Sequence, residues 1–342
     1  MTTPAIPAQQ QGYTLVELMV AITIGLFILG GIGMVFVSSK QTYRMQDSLW
    51  QLQDNSRFAM EFLIKDLRMA GFRGCSSSAI TPVNTLNNGT DFNYNFTVGV
   101  QGFEDAGSAW SPALPTALSS ANPPPVAGSD VITLRRAQEP GIGVTAPFMS
   151  NNSAALHVDA DNGLSQYDII LVTDCSAAAI LQVSGADPGA SGTIAHNTGV
   201  GTPGNATSDL GKIFRDDAEI MKLVTVSYFI APGTTVAGSR SLWRKVAGGA
   251  PEELAEGVEN MQILYGEDTD NDRSVNRYVT ADNVTDMNRI MSFKLSFLMS
   301  TLEDKITSNP QPYTFNGAIV TPADRKLRRV FSTVVTLRNR TM

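Results

Sequence analysis

Gln11-Gly12-Tyr13-Thr14-Leu15-Val16-Glu17, followed without a break by the uncharged run from Leu18 to Val37, is the stretch that decides the fold. The run is twenty residues long. As a helix rising about 1.5 Å per residue it matches the ~30 Å hydrocarbon core of a bilayer. Glu17 stands at its start, where hydration is being lost and an isolated carboxylate is costly. An amino group at Tyr13 would lie one helical turn away, or beside Glu17 on a neighbouring packed helix, and each charge would neutralise the other. A secretory signal peptide puts basic residues first, has a shorter apolar core and is cleaved behind it. Here any cleavage has to precede the core.

Working outward, nothing stops the helix before about Ala70. No proline occurs from Thr14 to that point, and Gly25, Gly30, Gly31 and Gly33 lie inside the apolar run, where small residues let helices approach closely. Past Val37 the pattern turns amphipathic. Leu49, Leu52, Ala59, Phe62, Leu63, Leu67 and Ala70 recur at three- and four-residue spacing, with Arg57, Glu61, Lys65 and Arg68 between them. Such a helix is roughly 85 Å long, bare in its first half and packed in its second, and Gly71-Phe72-Arg73-Gly74 ends it. Strand patterns follow at 131–135, 168–173, 178–183, 223–230, 241–246, 261–265, 290–299 and 330–337. Residues 106–128 and 184–205, rich in small residues and proline, read as surface loops. Helix and strand do not alternate, so a doubly wound sheet is not expected. The expected class is α+β, a long N-terminal helix packed on a largely antiparallel β-sheet head with long loops. The divisions are a leader over 1–12, a transmembrane half of the helix over 13–37, an amphipathic half over 38–72 and a head over 73–342.

Composition narrows the function classes. The chain has 342 residues, a net charge of −7 and 17% charged residues. The acidic balance argues against nucleic acid as a partner. The basic stretch Arg325-Lys326-Leu327-Arg328-Arg329 reads as a solvated lead-in to the last strand. Cys75 and Cys175 lack any local metal-ligand spacing. In an oxidising compartment they are expected to form one disulfide, the alternative being two buried thiols.

The N-terminal pattern resembles that of type IV pilins and their relatives. The resemblance implies prepilin peptidase cleavage after Gly12, N-methylation of Tyr13 and use of Glu17 in assembly. Residues 57–75, Leu264-Tyr265-Gly266-Glu267-Asp268-Thr269-Asp270, and the ending from Arg328 to Arg340 are similar to the PilW family of minor pilins. That narrower resemblance implies a low-abundance subunit that primes or caps a type IV pilus with other minor pilins. Its partners would be those subunits, the major pilin, the prepilin peptidase and the inner-membrane assembly machinery. It also implies a Gram-negative bacterium, with one pass through the inner membrane and a periplasmic head that later sits in the pilus, at its tip. The leader carries no Lys or Arg, whereas Lys40 and Arg44 follow the apolar run. The positive-inside rule alone therefore leaves the orientation open, and the head is placed outside because leader processing in this class is cytoplasmic. The alternatives are a type II secretion pseudopilin and a tip adhesin or calcium-tuned binding module built on residues 76–205.

One constellation is shaped for a small ligand. Asp268-Thr269-Asp270-Asn271-Asp272 sets three carboxylates at alternate positions, as calcium loops do to point oxygens inward at a hard cation. The Ser274 carbonyl and Asn276 fall at the seventh and ninth positions. Arg273 stands where an EF-hand has glycine for a left-handed turn, and Val279 stands where it has a bidentate Glu, so this is not an EF-hand. Glu267 or Asp282 would have to complete the shell. The loop is either a weak calcium site or a solvated acidic turn. No catalytic motif occurs, and no enzyme is expected. His157 and His196 read as surface residues, and Glu252, Glu253, Glu256 and Glu259 as a charged face.

Overall fold

A computed structural model describes residues 12–75, 80–105, 107 and 109–337. The leader up to Gln11 and the closing Arg338-Asn339-Arg340 lie outside the described residues. Helix α1 (Leu15–Met69) is unbroken over 55 residues. Its start is fixed by a capping box. The Thr14 hydroxyl accepts from the Glu17 amide, and the Glu17 carboxylate accepts from the Thr14 amide at 2.9 Å, so two of the orphan donors at the helix start are satisfied. Its end is set by Gly71 in a left-handed conformation at φ +73°. There the chain crosses so close to Gly99 that a Cβ on Gly99 would meet the Gly71 Cα at 2.6 Å.

The strands of three or more residues are β1 (Val100–Asp105), β2 (Val131–Ala137), β3 (Ile169–Thr173), β4 (Ala178–Gln182), β5 (Glu219–Pro232), β6 (Arg240–Val246), β7 (Glu252–Glu256), β8 (Val258–Glu267), β9 (Arg277–Val279), β10 (Ile290–Ser300), β11 (Tyr313–Phe315), β12 (Ala318–Val320) and β13 (Arg328–Thr336). Each of the eight sequence-predicted strands has a counterpart among them. A sheet in the order β9-β8-β10-β13 is antiparallel throughout. Its register sets Tyr265 opposite Phe293, Ile263 opposite Leu295 and Met261 opposite Phe297. Those residues are buried together with Leu52, Ala59, Leu63 and Leu67 of α1, so the second half of the helix shares one core with the sheet. Burial of such side chains stabilises by about 2 kcal/mol each and holds the helix to the head.

A larger sheet is organised by the 14-residue β5, which changes partner along its length. Its Glu219–Lys222 end pairs with β3, and its remainder pairs with β2 on one side and β6 on the other. The β3 end belongs to a second core of Val144, Leu156, Ile170, Val172, Leu181, Ile194, Phe214 and Ile220, away from the helix. A disulfide joins Cys75, just past the end of α1, to Cys175, just past β3.

Three expectations need correction. Residues 184–205 are not a loose excursion, because they contain a helical turn (Pro188–Ser191) and a strand (Thr193–Ile194) paired with Leu156–His157. Asn205 supplies the missing ladder there: its side chain accepts from the Gln182 amide at 2.8 Å and donates to the Gln182 carbonyl at 2.7 Å. His196 is accordingly buried, with Nε2 on the Ser208 carbonyl at 3.0 Å and its pKa lowered by burial, and His157 is half-buried in its strand. Arg328 is not a solvated lead-in residue. It is held by Glu259 and Asp324 at 2.6–2.8 Å.

Candidate functional site

The N-terminal site is fully open. Gly12 has no neighbour within 4 Å of a would-be Cβ, and Tyr13 is 92% exposed. Beyond it, Leu15, Leu18, Phe27, Met34 and Phe36 are all more than half exposed, and none of the apolar window of α1 is buried. Glu17 engages only Thr14 among the hydrogen bonds of the described residues. The T-x-x-E spacing of Thr14 and Glu17 is the sequence signal of that cap.

The packed half of α1 carries an acid that sequence reasoning did not single out. Asp66 is buried on the helix face turned to the head. It accepts from the Arg136 guanidinium at 2.8 and 3.1 Å through Oδ1, and from the Tyr228 hydroxyl at 2.7 Å through Oδ2. Burial and the Asp66 charge push the Tyr228 phenol well up, so it stays a donor. The arrangement fixes the rotation of the helix about its axis, because only one face presents Asp66 to β2 and β5.

The Asp-rich loop joins β8 to β9. Asp268, Asp270 and Asp272 bring one carboxylate oxygen each within 4.8 Å of the others, close enough to hold a metal ion. Asp268 is the organiser: it is buried, and its carboxylate accepts from the amides of Asp270, Asn271 and Arg273 at 3.2, 2.7 and 2.9 Å. Against the upward push of burial, those amides hold its pKa below the ordinary carboxylate value. Arg273 takes φ +66° and Asn271 φ +64°. The loop therefore makes its left-handed turn at the sixth position without glycine, at a cost of about 1 kcal/mol. Asp272 is tied to Ser274 at 2.8 Å, and Asn276 points its Oδ1 at the Thr269 amide at 2.6 Å. Glu267 does not complete the shell. Its carboxylate is taken by Arg277 at 2.8 Å and by the Thr285 and Asp286 amides at 3.0 Å. Asp282 does not complete it either, being turned to Thr280 and Asn283.

A second acidic group lies inside the head, where β1, the start of β2 and β8 meet. Glu104 and Asp130 are both buried and interact electrostatically. Asp130 also accepts from the Ile263 amide at 2.8 Å. Burial first, and the Glu104 charge second, push the Asp130 pKa up to about 8. Burial and the nearby Asp282 and Asp105 raise Glu104 as well.

With this geometry in view, two family comparisons apply. Residues 227–339 match the family described as Type IV Pilus-assembly protein W, and residues 7–33 match the prokaryotic N-terminal methylation motif. The C-terminal third of the chain is thus similar to the PilW family, and its start is similar to the N-terminus of type IV pilins. The matched segments span β6 to β13, part of β5, and the beginning of α1, and leave the second core unmatched. A type IV-like pilin from Thermus thermophilus aligns over 85% of this chain and 98% of its own, at 10% identity and a TM-score of 0.33, a likeness too loose to carry any residue across. No curated protein matches the chain.

Proposed function

We propose that the chain is a minor type IV pilin that primes or caps pilus assembly together with other minor pilins, in a structural rather than an enzymatic role. A prepilin peptidase cuts between Gly12 and Tyr13, and Tyr13 is then N-methylated. The chain waits in the inner membrane of a Gram-negative bacterium with its head in the periplasm, then moves into the pilus near the tip. The observation that carries this reading is the bare first half of α1. An apolar surface exposed along the whole run from Leu15 to Val37 has to be covered by lipid or by neighbouring helices. Glu17 changes partner on the way, because its capping bond to Thr14 is weak enough to yield to an amino group presented by a neighbouring subunit. We infer a calcium ion on the Asp-rich loop on the strength of its three converging carboxylates, with Asp268 setting the turn.

The test is a strain lacking this chain, complemented with wild type or with Glu17→Val, and scored for sheared surface pili. Wild type is expected to restore pili. Glu17→Val is expected to reach the membrane and to be missing from the pilus fraction. Normal piliation in the deletion strain, with lost protein secretion, would move the assignment to a type II secretion pseudopilus.

A further inference from the structure

Lys40 and Arg44 violate the charge bias expected beside a membrane span, since they follow the apolar run on the side of the head while the leader holds no basic residue. The fold gives them a common purpose. Together with Val37, Gln41, Lys305 and Ile306 they line a recess of about 290 Å³ between α1 and the loop that follows β10. Every charged side chain lining it is basic. The loop is brought to the helix by an ion pair of 2.7 Å between Arg44 and Glu303. Lys305 is then turned by a left-handed backbone, φ +62°, while the Asp304 carboxylate accepts from the Lys305 and Arg325 amides at 2.6 and 2.8 Å. Acidic neighbours are present outside the lining, namely Glu303, Asp304 and Asp47, and Glu303 and Asp304 are already engaged. Ile306 is buried and closes the floor.

Height fixes what can enter. If residues 18–37 fill the hydrocarbon core, Lys40 stands about 4.5 Å and Arg44 about 10 Å beyond its edge, and a headgroup layer is about 5–7 Å deep. The recess therefore opens at phosphate level, with Val37 at the acyl boundary and long basic side chains able to reach back to the interface. We propose that this recess binds the phosphate of an anionic phospholipid of the head-side leaflet, through Lys40, Lys305 and the free face of Arg44. The proposal rests on the reading that residues 18–37 span the bilayer. A bound headgroup would hold the 301–307 loop against the membrane surface while the subunit waits, and would be surrendered when the helix leaves for the filament.

The full chain, purified in detergent, is titrated with dioleoyl-phosphatidylglycerol or dioleoyl-phosphatidylcholine and read by native mass spectrometry. Wild type is expected to retain phosphatidylglycerol preferentially, and the Lys40→Ala/Lys305→Ala double variant to lose about tenfold of that preference. Lys245→Ala, in a strand of the head, is expected to change nothing. Equal retention of the two lipids by wild type, or undiminished preference in the double variant, overturns the site. Displacement of phosphatidylglycerol by millimolar inorganic phosphate would make the recess a free-anion site and overturn the lipid assignment. Flotation of wild type with phosphatidylcholine vesicles reads the spanning helix separately. Loss of flotation would refute the membrane reading, whereas flotation without headgroup preference would refute the recess alone.

Discussion

Asp66 and Glu17 are both helix acids, and they differ in where their partners come from. Glu17 finds Thr14 three residues away, so its local role is written in a four-residue pattern. Asp66 finds Arg136 and Tyr228, which stand 70 and 162 residues along the chain, and no spacing rule reaches that far. Removing Asp66 leaves the partly buried Arg136 without a counter-ion. Asp66→Ala is expected to cost about 3–5 kcal/mol of unfolding free energy, measured by denaturant titration. A loss under about 1 kcal/mol would show that Arg136 finds water instead.

At the scale of elements, what could be read depended on whether a segment's own pattern matched its burial. Val224, Val226, Tyr228 and Ile230 alternate, and β5 was evident from them. Strand β1 was not, because Val100-Gln101-Gly102-Phe103-Glu104-Asp105 carries a glycine and two acids where a strand pattern wants apolar residues. Of those acids, Asp105 accepts from the Gly107 and Gly128 amides at 2.6 and 2.9 Å, and Glu104 is buried within electrostatic reach of Asp130. The sign of the resulting pH dependence follows. Asp130 titrates near 8 when folded against about 3.8 otherwise, so the fold binds the proton more tightly than the unfolded chain does. Stability from this group is full below about pH 4, declines as pH rises and levels off above about 8. Asp130→Asn is expected to flatten the fall of Tm between pH 5 and 8, and an identical slope in both proteins would refute the raised Asp130 carboxyl. For the loop between β8 and β9, millimolar calcium is expected to raise the Tm of wild type, and Asp270→Ala to reduce the rise. No calcium shift in wild type would refute the site.

At the scale of the whole molecule, the stem-and-head arrangement was legible because one uninterrupted helix changes from uniformly apolar to amphipathic near Val37. The separation of the helix-facing core from the core around Ile170 and Phe214 was not legible. It depends on β5 changing partners at Lys222, and on small polar residues such as Asn205 acting as ladder partners, neither of which leaves a hydrophobic period. The Cys75–Cys175 bond closes a separation of 100 residues. Replacing both cysteines with serine is expected to cost about 4 kcal/mol by loop-closure entropy, with the second core lost first in hydrogen exchange. Uniform protection in both proteins would refute that order.

The same bond has a mechanical meaning. In the proposed filament, tension would run along the stem helices, and at the end of this one it would meet Cys75 six residues past Met69. From there a covalent link leads straight to Cys175. Strands β1, β2 and β3 lie in parallel with that link, so a pull on the stem reaches Cys175 and the second core without being transmitted through those strands.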